Sequence, residues 1–252
     1  MPDQKEPRAA GKARADQLLV DRGLVESRTR AQALIMAGKV FSDTRRIDKA
    51  GQVLEAGAPL EVRGQDHPWV SRGGVKLAHA IAHFGLSPED LVCIDVGAST
   101  GGFTDVLLHH GAARVFAVDV GHGQLAWKLR NDPRVVVMER VNARYLDTLP
   151  EPPAVLVCDA SFIGLGTVLP APLGLVVPGG WAVALIKPQF EVGPAIAKGG
   201  VVRDANVHRQ VCHRVSDWWA GLPGWQVLGV EPSPLLGPEG NREFLIAARK
   251  AA

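Results

Sequence analysis

Residues Val92-Cys93-Ile94-Asp95-Val96-Gly97-Ala98-Ser99-Thr100-Gly101-Gly102-Phe103-Thr104-Asp105-Val106-Leu107-Leu108 read as a buried strand, a glycine-rich turn and the opening turns of a helix. In a parallel sheet such a unit brings backbone close to a nucleotide-like ligand at the carboxyl edge of the strands. It commits the surrounding chain to an α/β arrangement and narrows the ligand to a few classes. Gly97 and Gly102 have P-loop spacing, but Phe103 stands where the phosphate-binding lysine belongs. Ser99 replaces the second glycine of a dinucleotide fingerprint. ATP hydrolysis and hydride transfer both lose ground.

Downstream of residue 70 the apolar periodicity alternates between strand and helix. Strands are expected near 91–96, 115–120, 135–139, 154–158, 181–187, 225–231 and 243–248, with helices at 75–84, 102–110, 164–176 and 205–221. The expected fold class is therefore α/β, a mostly parallel seven-stranded sheet covered on both faces. Pro232 to Asn241 is too short for a crossover helix, so the last strand is expected antiparallel. Cys93, Cys158 and Cys212 form no C-x-x-C pair, and the pairs His109-His110 and His208/His213 lack a third ligand at metal spacing, so no metal is assigned. Met1 to Lys12 is charged with no apolar core, and no run approaches about 18 apolar residues, so neither a secretory signal nor a membrane span is expected. A cytoplasmic location is the resulting expectation.

The first 63 residues have a different character. Residues 1–50 carry 11 Lys/Arg against 7 Asp/Glu, so with a net charge of +2 overall the remainder is slightly acidic. After a charged lead, 1–12, expected to be disordered, Arg14 to Leu24 reads as a helix ended by Gly23. A second helix is capped by Ser27 and stopped by Gly38. Its apolar stripe is Ala31, Leu34 and Ile35, which leaves Arg28, Arg30 and Gln32 facing away. The pattern Arg-x-Asp-x-x-Leu, Gly-Leu, Ser-Arg-x-x-Ala and Gly-x-Val resembles the S4 RNA-binding domain, a small α+β module, over residues 13–63. That resemblance implies RNA contacts from Arg14, Arg28, Arg30 and Lys39, joined by Arg72 beyond a linker at 64–70. Such cations grip backbone phosphates and carry little sequence information.

The surviving reading of the glycine turn, Asp95-x-Gly97-x-x-x-Gly101-Gly102, resembles motif I of the Rossmann-like methyltransferases that bind S-adenosylmethionine. Cofactor contacts are then expected from Asp95, Gly97, Ala98, Ser99, Thr100, Gly101 and Gly102. Asp119, which ends the next strand, would accept from ribose hydroxyls. Asn142 would meet the adenine edge, and Asp159 would complete the set.

The residues just after the fourth strand narrow the choice of atom methylated. Cys158-Asp159-Ala160-Ser161-Phe162 lacks the Asn/Asp-Pro-Pro-Tyr/Phe of amine methylation, and Cys158 lacks the Pro-Cys or Thr-Cys context of carbon-5 methylation. Lys76, Asp159, Lys187 and Glu243 instead fall in the order Lys…Asp…Lys…Glu near the same sheet edge. This order resembles the catalytic tetrad of the FtsJ-related ribose 2′-O-methyltransferases. Glu239 competes with Glu243 for the last place. With Trp-Val-Ser-Arg-Gly-Gly-x-Lys-Leu and Leu-Ile-Lys-Pro-Gln-Phe-Glu, the chain is identified as resembling the TlyA family, historically called hemolysins. The resemblance implies 2′-O-methylation of a cytidine in ribosomal RNA, with the ribosomal subunit as partner. Lys187 would serve as base, crowded by Lys76, since burial and a second ammonium both favour a neutral amine. The rival readings are an S4-type RNA binder with a silent methyltransferase fold and a membrane-active hemolysin.

Overall fold

The computed structural model describes residues 11–25, 27–63, 67–193, 196–237 and 240–252. The chain divides into two compact units, the first ending at Pro68 and the second beginning at Trp69. Most of the expected lead, 1–10, lies outside the described residues. Its last residue, Lys12, opens a strand, because the backbone of β1 (Lys12–Arg14) pairs with Val53–Glu55. At the expected linker, Trp69 and Val70 pack on the core of the second unit. Trp69 lies so close to Gly74 that a Cβ there would fall 2.4 Å from its side chain.

In the first unit β1 is followed by α1 (Ala15–Asp21), α2 (Arg28–Met36), β2 (Val40–Ser42), β3 (Arg45–Arg46), β4 (Val53–Glu55) and β5 (Glu61–Val62). The Ser27 side chain accepts from Arg30 N, as an N-cap does. Gly38, at φ +67°, turns the end of α2 so that Lys39 N reaches Leu34 O at 3.0 Å. Ala15, Leu19, Ala31, Leu34, Ile35, Val40 and Ile47 make the small core. At its rim Asp16 is fully buried. It accepts from Arg14 Nε and Nη2 at 2.9 Å each, Gln32 Nε2 at 3.0 Å and Arg28 Nη2 at 3.1 Å.

The second unit runs α3 (Gly73–Phe84), β6 (Val92–Val96), α4 (Gly102–His109), β7 (Arg114–Asp119), α5 (Trp127–Arg130), β8 (Val135–Glu139), β9 (Val155–Cys158), α6 (Leu165–Val168), α7 (Pro170–Leu175), β10 (Trp181–Ile186), α8 (Pro188–Glu191), α9 (Ala205–Ala220), β11 (Trp225–Pro232) and β12 (Phe244–Lys250). The seven strands lie in the order β11-β12-β10-β9-β6-β7-β8. β12 is antiparallel to both neighbours, and the pairs from β10 to β8 are parallel. Every residue of β10 is buried because its two faces meet two separate apolar clusters, Val183 and Leu185 on one side, Ala182, Ala184 and Ile186 on the other. The single helix expected over 164–176 is two short ones, since Pro170 cannot donate a helical hydrogen bond and starts a new helix instead.

Strand order reverses at β6, with β7 and β8 on one side and β9 and β10 on the other. A crevice opens at such a point beyond the carboxyl ends of the strands. The start of α4 is fastened there by Asp95, whose Oδ2 accepts from Thr104 N at 2.9 Å and Thr104 Oγ1 at 2.7 Å. Burial pushes the Asp95 carboxyl up to about 7, against the two Thr104 bonds, which favour the ionised form.

Two buried carboxyls, Asp16 and Asp95, give the units opposite acid responses. The Arg14 hydrogen bonds, helped by Gln32 and Arg28, hold Asp16 well below the usual carboxylate range. Its contribution is present above about pH 4 and lost as pH falls further. Asp16→Ala is expected to cost the first unit about 1–2 kcal/mol, because both guanidiniums are half-exposed and screened. Hydrogen exchange of residues 12–62 against pH reads this as lower protection with a flatter acid limb. For Asp95 the sign reverses: its stabilisation is present below about pH 4 and is lost as pH rises through about 7. All six tryptophans lie in the second unit, so urea unfolding followed by their fluorescence reports it alone. Asp95→Asn keeps an acceptor for Thr104 and should flatten stability between pH 4 and 7; an unchanged slope contradicts the assignment.

Candidate active site

After β6 the backbone turns through Gly97 at φ +79°, Ser99 at φ +49° and Gly101 at φ +93°. A Cβ on Gly97 would sit 2.9 Å from Ala160 Cα, so only glycine lets this loop pass the end of β9. Ser99 occupies a conformation that favours glycine, and its N–H donates to Asp119 Oδ2 at 2.8 Å. Asp119 Oδ1 accepts from Gly121 N at 2.6 Å. Asp119, expected to meet a ribose, thus already joins the loops after β6 and β7, and each oxygen keeps a second lone pair. Ala98 N donates to Val118 O at 3.1 Å, Gly101 N donates to Ala98 O at 2.7 Å, and Thr100 O accepts from Ala126 N at 3.2 Å. Gly102 touches the start of α3, where a Cβ would lie 2.9 Å from Gly74 N.

Two of the residues expected to meet the cofactor have partners within the protein. Asp95 lies inside the strand and is wholly buried, so it shapes the loop through Thr104 rather than presenting an exposed carboxylate. Asn142 is exposed, and its Oδ1 caps the short turn Ala143–Tyr145 by accepting from Arg144 N at 3.1 Å. The cradle fits a nucleoside-bearing ligand. It has small residues, backbone polar groups, a half-buried carboxylate at the neighbouring strand end, and Asp159 Oδ1 buried without an aligned hydrogen bond.

Beside the cradle the four charged residues converge. Asp159 follows β9, Lys187 follows β10 and Glu243 precedes β12, so neighbouring strands place them on one edge. Lys76 comes from the first turn of α3, and its Nζ donates to Glu243 Oε2 at 2.5 Å. Lys187 Nζ lies 2.7 Å from Asp159 Oδ1 and donates to Asp159 O at 3.1 Å and Ser161 Oγ at 2.8 Å. Lys76, Lys187 and Glu243 are buried. The expected crowding of Lys187 by Lys76 gives way to two separate pairs in which each ammonium faces a carboxylate. Glu239 lies outside the described residues.

Sequence reasoning missed several supporting residues. Ser161 holds Lys187, and Thr104 holds Asp95. Buried Asn241 accepts from Val202 N at 3.0 Å and donates to Gly200 O at 2.9 Å, pinning the chain just before Glu243. Phe162 is 89% exposed at φ +66°, with its ring 5.0 Å from that of Phe190. Its aromatic character beside Asp159 was the one available signal. Burial pushes the Cys158 thiol up to about 12, which leaves no thiolate for carbon-5 chemistry.

The expected RNA contacts divide. Arg30 is exposed on α2, whereas Arg14 and Arg28 are half-exposed and already hold Asp16. Lys39 is half-buried beyond the end of α2. Arg72 donates to Leu236 O at 3.0 Å, within the second unit.

Comparison with known proteins agrees with this geometry. The FtsJ-like methyltransferase family pattern matches residues 69–250, and the S4 domain pattern matches residues 13–60. The Mycobacterium tuberculosis 16S/23S rRNA (cytidine-2′-O)-methyltransferase TlyA is 47% identical over 244 residues, covering 95% of this chain and 91% of the relative. Hemolysin A of Brachyspira hyodysenteriae is 39% identical over 92% of this chain and 98% of its own. A Streptococcus thermophilus structure solved under a hemolysin name superposes with a TM-score of 0.74 at 44% identity, covering 96% of this chain and 90% of that one. Among the described residues no helix is long and apolar enough to cross a membrane. The chain belongs to the FtsJ-like methyltransferase family and carries an S4 domain before the methyltransferase domain.

Proposed function

We propose that this protein transfers a methyl group from S-adenosylmethionine to the ribose 2′-oxygen of a cytidine in ribosomal RNA. The observation that carries the proposal is the pair of buried ammonium–carboxylate contacts, Lys76–Glu243 and Lys187–Asp159, beside the glycine-rich cradle. The names of the relatives support the cytidine and the ribosomal RNA. A ribosomal subunit in the cytoplasm is the partner that substrate implies.

A ribose hydroxyl is a poor nucleophile and needs a base at its proton and a fixed line of attack. When bound, S-adenosylmethionine supplies a methyl group already activated on a sulfonium. Gly97 to Gly102 and Asp119 would hold its nucleoside end, and Asp159 would receive its cationic end. Lys187 Nζ would take the hydroxyl proton, once its own ammonium proton has been released, while the oxygen takes the methyl group from the sulfonium. Asp159 and Ser161 fix the direction of that Nζ. Lys76, held by Glu243, places a positive charge where the oxygen becomes anionic. The exposed ring of Phe162 offers a stacking face for a base lifted from its RNA neighbours. Arg30 and Lys39 on the S4 domain would take backbone phosphates.

Lys187→Ala should lower single-turnover methyl transfer by at least about 100-fold, the range for loss of a general base. Cofactor affinity, measured by calorimetry, should change by less than about threefold, because the cradle is built by other residues. Retained turnover would contradict the role of Lys187. A parallel loss of cofactor binding would reassign it to the cradle.

A further inference from the structure

His79 and His83 stand one turn apart on α3, on the same helix face, and Glu231 reaches them from β11. Among the described residues this is the group whose ligand atoms gather closely enough for one metal ion, all within 4.8 Å of one another. The Nε2 of His79 lies 3.7 Å from Glu231 Oε1, and that of His83 lies 3.6 Å from Glu231 Oε2. Both distances exceed a normal N–H···O hydrogen bond of about 2.7–3.2 Å. They approach the spacing of two ligands each about 2.0–2.2 Å from one tetrahedral ion. His79 Nε2 is buried and has no hydrogen-bond partner, an arrangement that costs free energy unless something fills it. The two rings lie nearly parallel, 24° apart, with centroids 5.9 Å from each other.

We infer that His79, His83 and Glu231 form a binding site for a divalent transition-metal ion of the Zn²⁺ type. Two imidazoles and one carboxylate suit a borderline ion; Mg²⁺ and Ca²⁺ favour all-oxygen sets. Three protein ligands leave the fourth position to water. The site is separate from the glycine loop and the tetrad, but it shares α3 with Lys76. Glu231 pairs in register with Leu245, two residues beyond Glu243. An ion here would clamp α3 to the edge strand and so brace the helix that presents Lys76 to Glu243. Phe84, against Gly229, makes the apolar part of the same joint.

The test uses the full chain, stripped with chelator and titrated with Zn²⁺ alone by calorimetry, with thermal unfolding followed in parallel. The expected result is one ion per chain and a higher melting temperature. His83→Ala and Glu231→Gln should each weaken binding by more than the roughly 10- to 100-fold that changes outside the ligand set cost. His213→Ala, at an exposed histidine on α9, should leave it unchanged. Both ligand variants sit at partly exposed side chains, and their unliganded melting curves establish that they fold. Absence of stoichiometric Zn²⁺ binding, or binding that survives both ligand substitutions, overturns the inference.

Discussion

An ammonium removed from water at a sheet edge costs several kcal/mol unless a carboxylate meets it, and the second unit contains two such ammoniums. Matching Lys76 with Glu243 and Lys187 with Asp159 requires α3 and the ends of β9, β10 and β12 to meet at one place. The antiparallel insertion of β12 between β10 and β11 makes this possible, since it brings the start of a strand to the edge where the others end. The reversal of strand order at β6 opens the cradle on the adjacent edge. Charge matching and topology thus converge on one crevice, and the buried Asp95–Thr104 joint holds its loop in shape.

Much of this was legible because it depends on local pattern. The six apolar residues of β10 could only be a strand buried on both faces, and the short connection before β12 allowed only an antiparallel return. Asp159, Lys187 and Glu243 were visible because strand ends carry them, and Lys76 because it completes their order along the chain. Their partners were not. Which carboxylate meets which lysine depends on where α3 crosses the sheet, and sequence spacing does not encode that crossing. Asp95 shows the same gap: its acidic character pointed to the site, but a strand residue one position short of the end faces the interior. In 164–176 the apolar run hid a break that Pro170 imposes. Nothing local to His79 and His83 pointed to Glu231, which comes from a strand far along the chain.

Charge has a double use in the first unit as well. Its basic residues suggested a phosphate-binding face, and the S4 match supports that reading of the domain. Yet Arg14 and Arg28 also close a buried polar cluster around Asp16. The same guanidiniums can keep exposed N–H groups for RNA while their other nitrogens stabilise the fold. Arg30, exposed on the same helix, has the simpler role.

The function of the crevice turns on which atom receives the methyl group. Mass mapping of nucleosides from ribosomal RNA, after incubation of ribosomal subunits with the protein and S-adenosylmethionine bearing a labelled methyl group, identifies that atom. Label is expected in 2′-O-methylcytidine, at a site that Lys187→Ala leaves unlabelled. Label on a base atom, or none from protein that binds the cofactor, would contradict ribose methylation by the paired lysines.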